Sequence, residues 1–248
     1  MALLPYRETF GGMPQSIVQC DRTKPKPRSA DAACIGIDSA NATYYLCKDQ
    51  QVAPWLPLSE WLSQQLARRC GIPVPACAIV EVPTHPGQLL FGSVWEGGAL
   101  DWSQVNLLDL TNPSLFSAAF TFDLLVHNDD RHLNNYLYLR LAGDLVAKIM
   151  DHSRCWWHSG WPLPAPPPDP ATRTMMAAAI WSSQLPWDLA ASQTVLSAWR
   201  NITSQEVDAM IDTAPTVWVN PADRQNLVGW WGTSDWSDRT DAVEKLLP

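Results

Sequence analysis

The segment VHNDDRHLNNYLYLR, residues 126–140, carries two adjacent carboxylates, two histidines and three amides in its first ten positions. Elsewhere charge is sparse, at 17% of the chain. Asp130 and Asn135 stand five residues apart, and Asp151 follows sixteen residues after Asn135, in IMDHS. An amide oxygen and a carboxylate are hard donors that suit Mg2+ held jointly with phosphate oxygens. A further carboxylate that does not touch the metal can take the proton from an attacking hydroxyl. Asp130 as base, with Asn135 and Asp151 on a metal, is one reading of this set, and its chemistry is phosphoryl transfer. Two others compete. His127, Asp129, Asp130, His132, Asp151, His152 and His158 could form the His/Asp cluster of a metal-dependent hydrolase. Taken singly, each Asp or Asn could simply be a turn former.

The elements that carry these residues decide whether they meet. NPSLFSAAFTFDLLVHN is apolar almost all round and predicts a core helix, with Asn112 as N-cap and Pro113 at the first helical position. After the polar loop, YLYLRL, a turn at Ala142–Gly143–Asp144 and LVAKIMD read as a hairpin. A hairpin returns the chain to its start, so Asn135 and Asp151 are expected to be neighbours with Asp130 in reach. Upstream, QSIVQC (15–20), ATYYLCKD (42–49), VPACAIVEV (74–82) and QLLFGSVWE (88–96) have strand composition. The first two are expected to form a hairpin lengthened by the exposed basic loop DRTKPKPRSADAA. LSEWLSQQLARRCG (58–71) predicts a helix with Ser59 as N-cap and Gly71 as its stop. Beyond a Pro-rich connector at 160–170, helices are expected near 171–182, 188–199, 204–213, 221–231 and 235–247, with Thr203 and Glu206 as a capping box. The expected fold is α+β and bilobal. A β-rich lobe with one helix covers 1–97, a mostly helical lobe covers 98–248, and the ligand cleft lies between them.

A phosphoryl-transfer site of this kind also needs a strand lysine for the phosphates and a helix acid to hold it. Lys48 ends TYYLCK, and Glu60 is expected in the first turn of the next helix. The phosphates need a turn that presents backbone N–H groups. FGGMPQS (10–16), with Gly11, Gly12 and Ser16, could be that turn, and DSANAT (38–43) is its competitor. Alone, Lys48 is an ordinary strand-end charge and Glu60 an acid favoured by the helix dipole. Their order along the chain is what gives them weight.

Composition narrows the function classes. The chain has 248 residues, 46% of them apolar, enough for a sizeable core. The net charge of −8 argues against direct nucleic-acid binding or an acidic membrane surface. Without a basic start followed by an apolar run, or any apolar stretch long enough to span a bilayer, a cytoplasmic protein with no membrane contact is expected. The six cysteines lack a metal-ligand spacing and read as buried thiols. The fourteen tryptophans read as core and helix-packing residues.

NDDRHLNN followed by IMDHS resembles the catalytic segments of HipA-like kinases and of phosphatidylinositol kinases. The match to compact HipA-like domains extends to GGMPQSIV, YYLCKD and LSEWLSQQLARRCGIPVPACAIVEV, in the same order, over residues 10–155. The resemblance implies a protein-kinase-like fold that uses ATP and Mg2+ to phosphorylate a hydroxyl, that of a Ser or Thr of a protein. It implies Asp130 as the catalytic aspartate, supported by Arg131 and His132, and Asn135 and Asp151 as metal ligands. Lys48 would contact the nucleotide phosphates and pair with Glu60, and Gly11, Gly12 and Ser16 would lie at the phosphate turn. His152 and Ser153 stand where Phe and Gly are commoner. HipA-like enzymes act as toxins paired with antitoxins, so an antitoxin-type partner is implied. A pseudokinase or nucleotide-binding module is the non-catalytic alternative, and the intact Asp130, Asn135 and Asp151 argue against it.

Overall fold

The computed structural model describes residues 17–25, 30–166 and 169–248. The expected phosphate turn with Gly11, Gly12 and Ser16 lies outside them. Six strands form one sheet: β1 (Ile17–Gln19), β2 (Arg22–Lys24), β3 (Ala32–Asp38), β4 (Thr43–Lys48), β5 (Cys77–Glu81) and β6 (Leu90–Val94). Their order across the sheet is β1-β5-β6-β4-β3-β2. All neighbours are antiparallel except β1 and β5.

The expected hairpin between the first strand and Thr43–Lys48 does not form. β1 pairs with β5 at one edge, while β4 pairs with β3 and β6 in the interior. The supposed basic loop contains β2 and the start of β3. Ala, Cys and Gly in AACIGID are weak strand formers, and the pairing with β4 decides their conformation.

Helix α1 (Leu56–Arg69) links β4 to β5 and starts earlier than expected, with Pro57 in its first turn and Trp55 as cap. Ser59 is therefore inside the helix, and Glu60 sits in the second turn. Leu58, Leu62 and Leu66 pack with Ile79 and Phe91 in the main core. The polar residues Ser59, Glu60, Ser63 and Gln64 on α1 are also buried. The Ser59 hydroxyl donates to His152 O at 2.7 Å, and Trp156 Nε1 donates to Ser63 Oγ at 2.9 Å. Thus α1 is fastened to the segment that follows Ile149.

In the helical part, α2 (Leu115–Val126) is buried on nearly every side. Asn112 is not its cap. Its amide donates to Ala147 O at 2.8 Å and its oxygen accepts from Ala147 N at 2.9 Å, as an extra rung beside the hairpin. That hairpin is β7 (Tyr136–Leu141) and β8 (Asp144–Ile149). Ala142 and Gly143 both have positive φ, as a two-residue turn with the twist of the strands requires. Five helices follow: α3 (Arg173–Ser182), α4 (Leu189–Arg200), α5 (Ser204–Asp212), α6 (Pro221–Trp230) and α7 (Ser234–Leu246). The Thr203/Glu206 capping box starts α5.

Trp156, Trp199, Trp231 and Trp236 pack in one aromatic group. The Pro-rich connector is only partly exposed: Trp161 and Leu163 pack on the core, and Arg239 of α7 donates to Pro164 O at 2.6 Å. All six cysteines are thiols, five of them buried. Among the described residues no helix is long and apolar enough to cross a membrane.

Candidate active site

Lys48 ends the interior strand β4, where Ala32 and Phe91 flank it in register. A buried ammonium is costly unless it is paired. Its Nζ lies 2.7 Å from Asp151 Oδ1 and also bonds Glu60 Oε1, so one buried cation joins the sheet, α1 and the end of the hairpin. Burial pulls the ammonium's pKa down, but Asp151 and Glu60 more than reverse this and hold it above its ordinary value. Burial likewise raises Asp151, yet Lys48 and the Ser153 hydroxyl keep its carboxyl well below the usual range. Both groups are charged at neutral pH.

The hairpin register supplies the second half. Tyr136 pairs with Ile149, so the residues just outside that pair meet, and Met150 N donates to Asn135 O at 3.0 Å. Asp151 follows with φ 64°, a strained conformation outside glycine, which aims its carboxylate at Lys48. Ser153 Oγ lies 2.8 Å from Asp151 Oδ1 and 2.6 Å from Asp31 Oδ2. His152 is buried against the edge of Phe122, with Nδ1 3.7 Å from Glu60 Oε2, and burial lowers its pKa, so it is a neutral packing residue.

Between α2 and the hairpin, the loop is built around Arg131. Its Nε and Nη2 donate to Asp123 of α2, each at 2.9 Å, and its Nη1 donates to Asn135 O and Met150 O. Asn128 donates to Asp123 Oδ1 at 2.9 Å. From α3, Thr174 Oγ1 donates to Asn128 O at 2.6 Å and accepts from Arg131 N at 3.0 Å, so the loop is clamped on both sides of Asp130. Asp130 itself stays partly exposed. Its Oδ1 is 3.0 Å from Arg173 Nη1, and its Oδ2 is 3.9 Å from Arg154 Nε. Thr174→Val should leave two buried backbone groups unpaired and cost about 1–3 kcal/mol. Urea unfolding of the variant beside wild type measures it.

The donor chemistry fits a hard cation. Asn135 commits its amide nitrogen to Asp130 O at 3.1 Å, which leaves its side-chain oxygen as the lone-pair donor. Asp151 uses Oδ1 for Lys48 and Ser153, and its other oxygen carries none of those bonds. The structure therefore brings Lys48, Glu60, Asp151, Asn135, Arg131 and Asp130 into one contiguous network. His132 borders it: half-buried, held below its usual pKa by burial, at the rim of a cavity beside α3. The turn at 38–43 lies at the opposite end of β4 from Lys48. The N–H groups of Ala40 and Asn41 in it are already bound to Asp38.

The histidines of the hydrolase reading separate. His127 faces Arg239, His158 lies against Arg154, and His152 is sealed in the core. Among the described residues no three His, Cys, Asp or Glu side chains gather as a metal site. Sequence reasoning missed Asp123, Arg173, Thr174, Arg154 and Asp31. Only Asp123 had a local signal, as the single charge in an otherwise apolar helix.

The family model described as HipA-like kinase matches residues 32–158, just over half of the chain. The chain resembles a Helicobacter pylori proinflammatory kinase, CtkA, with a TM-score of 0.60 at 11% identity, over 94% of this chain and 97% of that one. It also resembles HipA in the Shewanella oneidensis complex of HipA, HipB and operator DNA, with a TM-score of 0.51 at 14% identity. That match covers 82% of this chain and 57% of HipA. No curated protein sequence matches.

Proposed function

The chain belongs to the HipA-like kinase family, and from that premise we propose that it uses ATP and Mg2+ to phosphorylate a serine or threonine hydroxyl of a protein. The observation that carries this reading is the bridge from Lys48 to both Glu60 and Asp151. A hydrolase would have no use for a buried strand lysine held by a helix glutamate. In this reading Lys48, kept charged by its two carboxylates, holds phosphate oxygens. Asn135 and Asp151 would hold the metal, which when bound neutralises charge on the phosphates.

Asp130 accepts the proton of the attacking hydroxyl. Arg131 keeps Asp130 and Asn135 on one rigid loop, and His132 lies on the acceptor side of it. We place the lobe boundary between residues 97 and 98, with 160–170 as a connector within the helical lobe. By likeness to HipA, which occurs in complex with HipB and operator DNA, we propose an antitoxin-type protein partner and a toxin-like role. The chain's own charge of −8 leaves nucleic-acid contact to such a partner.

Incubation with γ-labelled ATP and Mg2+, followed by phosphoamino-acid analysis of the chain and of a cell lysate, tests this reading. Phosphoserine or phosphothreonine is expected. ATP turnover that labels no protein would overturn the protein-kinase assignment.

A further inference from the structure

A cavity of about 450 Å3 opens beside the catalytic loop. Its walls are mostly apolar: Trp102, Leu133, and Met176, Ala177 and Ile180 from α3. Met176 and Ile180, four residues apart and so on one face of α3, are 49% and 44% exposed. Together with Trp102, Leu133 and Ala177 they make the cavity wall a contiguous apolar surface, the kind that marks a binding site. None of these side chains takes part in the network around Lys48.

The position relative to Asp130 is the informative part. Arg173 lines the cavity and touches Asp130 Oδ1 at 3.0 Å. The other oxygen, Oδ2, faces Arg154, whose guanidinium also reaches toward Asp31, the partner of Ser153 beside Asp151. Asp130 thus turns Oδ1 toward the arginine that lines the cavity and Oδ2 toward Arg154. A general base takes its proton from the attacking hydroxyl, so a cavity that adjoins Asp130 adjoins the acceptor in the reading proposed above. Arg173 is shared between the cavity wall and the carboxylate that would take the acceptor's proton. In an extended peptide each residue advances about 3.3 Å, so a side chain one or two positions from the acceptor hydroxyl reaches it.

We infer that this cavity is the specificity pocket for the protein substrate, and that it takes a large aliphatic or aromatic side chain one or two residues from the phosphorylated Ser or Thr. The inference rests on the protein-kinase reading above and adds the substrate class. The volume of about 450 Å3 is ample for such a side chain. Burying one side chain of this size changes binding by roughly tenfold or more.

An array of Ser- and Thr-containing peptides, with each flanking position fixed in turn, is labelled with γ-labelled ATP and Mg2+ by wild type and by Met176→Ser/Ile180→Ser. ATP hydrolysis without peptide and thermal unfolding are measured alongside. Both substituted residues are exposed, so folding and basal hydrolysis should be unchanged. The expected result is selection of Leu, Ile, Met or Phe at one flanking position, with that selection lost and KM for the best peptide raised about tenfold or more in the variant. Labelling without apolar preference, or a preference the variant retains, overturns the pocket while the kinase assignment stands. ATP hydrolysis by wild type with no peptide labelled overturns the protein-kinase reading, and the pocket with it.

Discussion

Lys48→Met is expected to slow phosphate transfer strongly and to destabilise the fold together. Among the described residues Lys48 is the one cation hydrogen-bonded to Glu60, and Glu60 is 1% exposed at its side chain. Removing the ammonium leaves two carboxylates facing each other, one fully buried. Breaking a buried ion pair from one side costs about 3–5 kcal/mol, because the remaining charge is uncompensated. The transfer rate should fall about a hundred- to a thousandfold, as when one preorganised charge at a reacting group is lost.

The two effects can be separated. Lys48→Met/Glu60→Gln replaces the stranded charge with a neutral amide and should recover most of the stability. It should recover none of the activity, because no charge is left to hold phosphate. Urea unfolding and label transfer on both variants measure this. Recovery of activity in the double variant would show that Lys48 acts only as scaffold.

Arg131→Met should be comparably damaging, for a different reason. Arg131 and Asp123 are both almost fully buried, and their two parallel bonds are the fork geometry that only arginine offers. The same guanidinium ties Asn135 O to Met150 O, and so ties the loop to the residue before Asp151. The expected loss is about 3–5 kcal/mol. Replacing the pair together, Asp123→Leu/Arg131→Met, should restore stability in part, since an apolar pair of similar volume can stand in for a buried ion pair. Transfer should remain low, because nothing then holds Asp130 and Asn135 in register with Asp151. A denaturation midpoint and a transfer rate for each variant check this.

The central residues were legible because their order constrains the chain. A hairpin must return Asp151 to Asn135, and a strand followed by a helix over the same sheet must bring Lys48 toward Glu60. The start of α1 was not read correctly, because Ser59 drew the cap away from Pro57, although Pro in the first turn was the better cue. β2 and β3 were hidden by Lys–Pro repeats and by the small residues of AACIGID, whose strand conformation comes from β4. Asp123 was readable in principle: a carboxylate inside an apolar helix requires a buried cation. Arg173 and Thr174 carried no such signal. They begin a helix beyond a Pro-rich connector, and only tertiary packing brings that helix back against Asp130.

We propose that Asp130 takes the proton of a hydroxyl attacking a nucleotide held by Lys48, Asn135 and Asp151. Single-turnover transfer from γ-labelled ATP by wild type and Asp130→Asn, with ATP affinity measured by calorimetry in Mg2+, tests it most directly. Loss of a general base should slow transfer by about 10²–10⁴, with ATP affinity within a few-fold of wild type. Transfer at the wild-type rate by Asp130→Asn would contradict the claim.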